Sequence, residues 1–271
     1  MEKFNFKSKY GFDDLCKIMT LLRTPGGCPW DIEQTHESIK KSFIEETYEV
    51  IEAINKNDKT LLCEELGDVL LQVVFHAEME REQGTFDIND VCDGICKKLI
   101  ERHPHVFASD SADTPAEVLV KWDEIKRKTK GQKTQGDSMK AVPLELPALM
   151  RAQKLQGKAK KAGFDWDEAD GAFTALHSEI EELEEAYKTG KKENIEDEFG
   201  DVLFSAVNVS RFLDIDSEEA LTKASNKFLE RYLIVEKLAK ERNINMKETP
   251  IEELDKLWVE AKKIIAEEKA K

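Results

Sequence analysis

Proline and glycine are scarce in this chain, 7 and 13 of 271 residues, so little of it is given over to turns. No apolar run approaches the roughly 18–20 residues of a membrane span, and the N-terminus carries no signal-peptide core. Both absences predict a cytoplasmic protein that engages no membrane. Basic residues are outnumbered, 41 Lys and Arg against 56 Asp and Glu, for a net charge of -15. No basic stripe is left to hold a nucleic-acid polymer, although a free nucleotide, whose phosphates can arrive with metal, stays open. The five cysteines (Cys16, Cys28, Cys63, Cys92 and Cys96) are odd in number and form no CxxC. They fit reduced cytosolic thiols rather than a disulfide frame or zinc site, with Cys92 and Cys96 read as buried packing residues. Period-2 alternation long enough to demand a sheet is also missing.

What is present is helical sequence, 40% hydrophobic and 36% charged, a balance too apolar for disorder. The fold class is all-α. The spacing predicts a helix over 36–55 with Ile39, Phe43, Tyr48, Val50, Ile51 and Ile54 on a broad apolar stripe. A second is predicted over 58–83, with Leu61, Leu62, Leu66, Val69, Leu70 and Val73 as core. Asp87 opens a third, Asp90 completing a capping box. Thr114-Pro115 and Thr249-Pro250 read as caps followed by proline at the first helical position.

The chain repeats itself. Trp30-Asp31 answers Trp166-Asp167, and Glu45, Glu49 and Trp122 answer Glu181, Glu185 and Trp258, all 136 positions apart. Thr114-Pro115-Ala116-Glu117 answers Thr249-Pro250-Ile251-Glu252 at 135, and Lys98–Arg102 answers Lys227–Arg231 at 129. So long a period means tandem domains: 1–129 and 141–271, joined by a polar, glycine-punctuated linker at 130–140. Gly67 and Gly200 recur inside a helix, where glycine costs about 1 kcal/mol against alanine. Close approach by a neighbouring helix or by a ligand explains them.

One acidic pattern occurs twice: Glu45-Glu46-x-x-Glu49 with Glu65-x-x-Asp68, and Glu181-Glu182-x-x-Glu185 with Glu198-x-x-Asp201. Carboxylates three or four residues apart share a helix face. Set beside apolar runs, with no lysine read among them for surface pairing, they repel unless a cation neutralises them. Oxygen-only donors suit hard cations such as Mg²⁺ or Mn²⁺, and no Glu-x-x-His pair supports a di-iron bundle. Four carboxylates exceed the charge of one divalent ion, which invites several ions or a polyphosphate bridging them. Lys98 and Arg102, and Lys227 and Arg231, are the cations available for phosphate. Trp122 and Trp258 are either core or base-stacking surfaces. No nucleophilic triad is evident, so direct attack by water is favoured over a covalent intermediate.

These acids, the segment 25–31 (PGGCPWD) and the run Glu65-Leu66-Gly67-Asp68-Val69-Leu70-Leu71-Gln72-Val73-Val74 resemble the MazG family over nearly the whole chain. The resemblance implies two tandem helical domains, with four-helix-bundle sites completed by dimerisation. It also implies Mg²⁺-dependent hydrolysis of nucleoside triphosphates to the monophosphate and pyrophosphate. By position it implies metal ligands Glu182, Glu185, Glu198 and Asp201 in the second half and Glu46, Glu49, Glu65 and Asp68 in the first. It places Lys227, Arg231 and Trp258 at the nucleotide. The base that orients or deprotonates the attacking water is expected to be Glu181 or Glu182. His103-Pro104 stands where the second half has Tyr232 and continues; Pro104 is expected to end the helix carrying Lys98 and Arg102, which makes the C-terminal site the main catalyst. The rival reading is a dimer that senses nucleotides without turning them over.

Overall fold

The computed structural model describes residues 4–108, 114–129, 131 and 134–269. Among them are thirteen helices and no strand. None of these helices is long and apolar enough to cross a membrane. The chain divides into two compact units, Met1–Lys126 and Arg127–Lys271.

Unit 1 begins with α1 (Phe12–Arg23) and α2 (Pro29–Glu33). Gly27, between them, lies so close to the Leu21 and Leu22 carbonyls that a Cβ there would stand 2.3–2.4 Å from them. Next come α3 (His36–Lys56) and α4 (Lys59–Gln83), an antiparallel hairpin. Local chemistry sets its limits. Thr35 and Ser38 cap α3 reciprocally, and Asn57 ends it in the left-handed region at φ 53. The Asp58 carboxylate then accepts the Thr60 and Leu61 amides to start α4, where its negative charge also suits the helix N-terminus. Asp87 and Asp90 cap α5 (Ile88–Arg102) as the sequence predicts. The helix stops at Arg102, and Pro104 opens the single turn α6 (Pro104–Phe107), because proline lacks the amide to continue it. Thr114 accepts the Glu117 amide at the head of α7 (Pro115–Thr129).

The core of unit 1 is Met19, Ile39, Val74, Phe75 and Met79. It sits further along α4 than the sequence suggests. Leu66 and Leu70 are exposed, Leu61, Leu62, Val69 and Val73 are half-buried, and of the α3 stripe Tyr48, Ile51 and Ile54 are exposed. The reason is geometric: α1 covers the later part of α4, where Met19 packs with Val74, Phe75 and Met79, and Leu66 and Leu70 lie outside that cluster. Cys92 and Cys96, expected to be buried, are exposed on α5.

In unit 2 the segment read as linker contains α8 (Gln135–Lys140), capped by Thr134; residues 130, 132 and 133 lie outside the described residues. There follow α9 (Ala148–Lys161), the hairpin α10 (Ala169–Thr189) and α11 (Lys192–Phe212), then α12 (Ser217–Glu241) and α13 (Ile251–Lys269). Gly190, at φ 69, makes the hairpin turn. Helix α9 packs on α11 and α12, its Gln156 side chain donating to the Phe204 carbonyl at 2.8 Å. Arg211 forks onto Asp165 beside it. The α12–α13 pair closes over Val235, Leu238, Ala239, Leu257 and Ala261. Thr249 differs from expectation: its hydroxyl donates to the Asn245 carbonyl, and α13 starts after Pro250.

Candidate functional site

The hairpins bring the repeated acids together. In unit 1, Glu46 and Glu49 on α3 and Glu65 on α4 each place a carboxylate oxygen within 4.8 Å of the others. Glu65 is 8% exposed. Burial raises its carboxyl above the usual range, helped by the charge and hydrogen bond of Glu49 and the charges of Glu64 and Asp68. Glu46 is raised by burial, then by Asp68, Glu49 and Glu45.

In unit 2 the converging set is Glu179, Glu182 and Glu198, again within 4.8 Å. Burial raises Glu179, followed by Glu182, Asp201 and Glu198; Glu198 is raised by burial, Glu182, Asp201 and Asp197. Ser178 donates to Glu182 at 3.1 Å. Glu181, Glu182, Glu185 and Glu198 line one open groove of about 620 Å³. Glu185 departs from the reading that no lysine sits among the acids: it is exposed and pairs with Lys188 at 2.7 Å, one turn on.

Glu179 escaped the sequence reading. Its i,i+3 spacing to Glu182 was visible, but aligning the halves sets it opposite Phe43, so it never counted as part of the repeat. Gly67 and Gly200 face open space within the chain. A Cβ at either meets nothing within 4 Å, so no helix of the same unit crosses there.

The donor chemistry fits a hard divalent cation. The sets are all oxygen and drawn from two helices, and the carboxyls of Glu46, Glu65, Glu179 and Glu198 are pushed toward the neutral form by burial and neighbouring acids; a bound cation reverses that cost.

The cationic and aromatic candidates gather on different elements. Lys227 lines a shallow depression on α12 with Lys223, Asn226 and Glu230. The Arg231 guanidinium lies 5.6 Å from the Trp258 ring centroid, within cation–π range, and Phe228 packs on that ring at 5.2 Å. Trp258 is also packed on the α12–α13 core, and Arg231 Nε is buried without a hydrogen-bond partner. None of Lys227, Arg231 and Trp258 lines the acidic groove. In unit 1, Arg102 lies 5.9 Å from the Trp122 ring, while Lys98 is exposed.

Unit 1 holds a further polar cluster that unit 2 lacks. His36 and His76 join through their Nδ1 atoms at 2.6 Å, and His36 Nε2 meets Glu80 at 2.6 Å. Burial, then His36, lowers the His76 pKa. Hydrogen bonds from Thr85 and His36 lower that of Glu80.

The family model of the MazG nucleotide pyrophosphohydrolase domain matches residues 34–107 and 170–235, the segments that carry both acidic hairpins. A nucleoside triphosphate pyrophosphohydrolase/pyrophosphatase of Thermotoga maritima is 47% identical over 93% of this chain and 95% of its own length. A nucleoside triphosphate pyrophosphohydrolase of Escherichia coli is 43% identical over 93% of this chain and 97% of its own.

Proposed function

Because the chain belongs to the MazG nucleotide pyrophosphohydrolase family, we propose that it hydrolyses nucleoside triphosphates, ribo and deoxyribo, at the α–β phosphate linkage. The products are the nucleoside monophosphate and pyrophosphate. The observation that carries this reading is the convergence of carboxylates across each hairpin, within both segments the family model matches.

Glu182, Glu185, Glu198 and Asp201 would hold Mg²⁺, or Mn²⁺ in its place, in the C-terminal site, and Glu46, Glu49, Glu65 and Asp68 would do so in the N-terminal one. Bound there, such ions supply charge neutralisation and Lewis acidity to the polyphosphate. The chain's own residues do the rest. Glu181 or Glu182 orients the attacking water and takes its proton. The bond from phosphorus to the bridging oxygen breaks, and pyrophosphate leaves with the electron pair. Arg231, whose Nε–H lacks a partner, and Lys227 bind phosphate oxygens, and the Trp258 face supports the base.

In this reading the protein is a homodimer. Apolar side chains exposed along the hairpins, Tyr48, Leu66, Leu70, Phe199, Leu203 and Phe204, are more than isolated surface residues and favour burial against a second copy. Open space at Gly67 and Gly200 admits a partner helix. Helices of both protomers then complete four-helix-bundle sites, which supplies the cations that the groove of one chain lacks. Five cysteines with no disulfide among them support a cytoplasmic location in this reading.

The test is product analysis across ribo- and deoxyribonucleoside triphosphates with Mg²⁺ and with chelator. Monophosphate and pyrophosphate in equal amounts, lost with chelator, support the reading. Diphosphate and inorganic phosphate overturn the regiochemistry, and tight binding without products favours the sensor.

A further inference from the structure

We propose that Glu179 is a metal ligand particular to the C-terminal site, one that the N-terminal site replaces with an aromatic ring. The inference rests on the metal-site reading above and extends it to a residue outside the repeated pattern.

Glu179 precedes Glu182 by three residues on α10, so both project from one face. Its carboxylate oxygen lies within 4.8 Å of those of Glu182 and Glu198. Glu185 instead turns toward Lys188. The corresponding positions in unit 1 behave the other way: Glu49 joins Glu46 and Glu65, and Phe43, opposite Glu179 in the repeat, puts its ring 5.9 Å from the His76 ring. Ser42 and Ser178 are alike at the preceding position, so the exchange is confined to one side chain. Half-buried carboxylates beside two others are costly without a cation. The C-terminal hairpin therefore offers five carboxylates, where the N-terminal one offers four and has Phe43 at the fifth position. The additional negative charge holds divalent cations more tightly before any nucleotide arrives.

Calorimetric titration of the full chain with Mn²⁺, without nucleotide, tests this. The Glu65→Gln variant isolates the C-terminal site, and Glu179→Gln is added to it, with circular dichroism to verify folding. The expected result is weakening of Mn²⁺ binding by about tenfold or more, partly restored by Glu179→Asp. Conversely, Phe43→Glu tightens the N-terminal site in a Glu198→Gln background. Unchanged affinity in a folded Glu65→Gln/Glu179→Gln protein overturns the inference. Absence of Mn²⁺ binding in Glu65→Gln alone overturns the metal-site reading beneath it.

Discussion

The two halves carry the same acidic hairpin but differ in what surrounds it. In unit 1 the helix bearing Lys98 and Arg102 ends at Arg102, and Pro104 turns the chain away. In unit 2 the equivalent helix, α12, runs for 25 residues through Lys227 and Arg231 to Glu241. Where unit 2 sets Glu179 beside Glu182 and Glu198, unit 1 has Phe43, whose ring lies 5.9 Å from that of His76. A duplicated ligand pattern thus does not make two equal sites. What differs is the length of the cationic helix and the polarity of one aligned position.

The comparison breaks most visibly through the acids. Glu198→Gln is expected to reduce kcat by about 100-fold or more, whereas Glu65→Gln costs at most about half, both read as pyrophosphate release. Equal losses would make the halves equivalent catalysts. Next comes the helix. Leu233, 129 positions after Pro104, is exposed on α12, so Leu233→Pro acts through the backbone. It should destabilise unit 2 by about 3 kcal/mol and lower turnover, measured by thermal melting and rate; an unchanged melt would mean that α12 tolerates the break that ends α5.

The hairpin faces give a smaller effect. Leu203→Glu should weaken self-association by about 2 kcal/mol or more, roughly 30-fold, seen by sedimentation equilibrium. A monomeric wild type would remove the dimer reading. Smallest is the pH response of unit 1. The lowered His76 pKa means that the folded state favours the neutral ring, so stability falls as pH drops through its ordinary value of 6.5. The lowered Glu80 pKa contributes stability above the ordinary 4.5 that is lost on further acidification. His76→Phe should flatten the upper part of that decline in a melting-temperature profile.

Much of this is legible in the sequence. The helix start at Asp87 follows from capping chemistry, those of α3 and α4 from apolar spacing, and the end of α5 from the missing amide of Pro104. The acidic hairpins are legible because i,i+3 and i,i+4 spacing is a helix property. Periodicity does not say which apolar stripe a single chain buries. Leu66 and Leu70 satisfy the same 3.6-residue pattern as Val74 and Phe75, yet they are exposed while the latter pack with Met19 of α1 and Ile39 of α3. Glu179 is hidden for a related reason: its position is defined by the neighbouring helix across the hairpin, while the repeat puts a phenylalanine opposite it. The pairing of Glu185 with Lys188 depends on a side-chain rotamer that spacing does not specify.

The most direct test is a crystal of the protein with Mn²⁺ and a nucleotide whose α–β bridge resists hydrolysis, read by anomalous scattering. The account predicts Mn²⁺ peaks among Glu182, Glu185, Glu198 and Asp201, with Glu179 in contact and the phosphate tail reaching Arg231. Those carboxylates pointing into solvent, with manganese and nucleotide bound elsewhere, would contradict it.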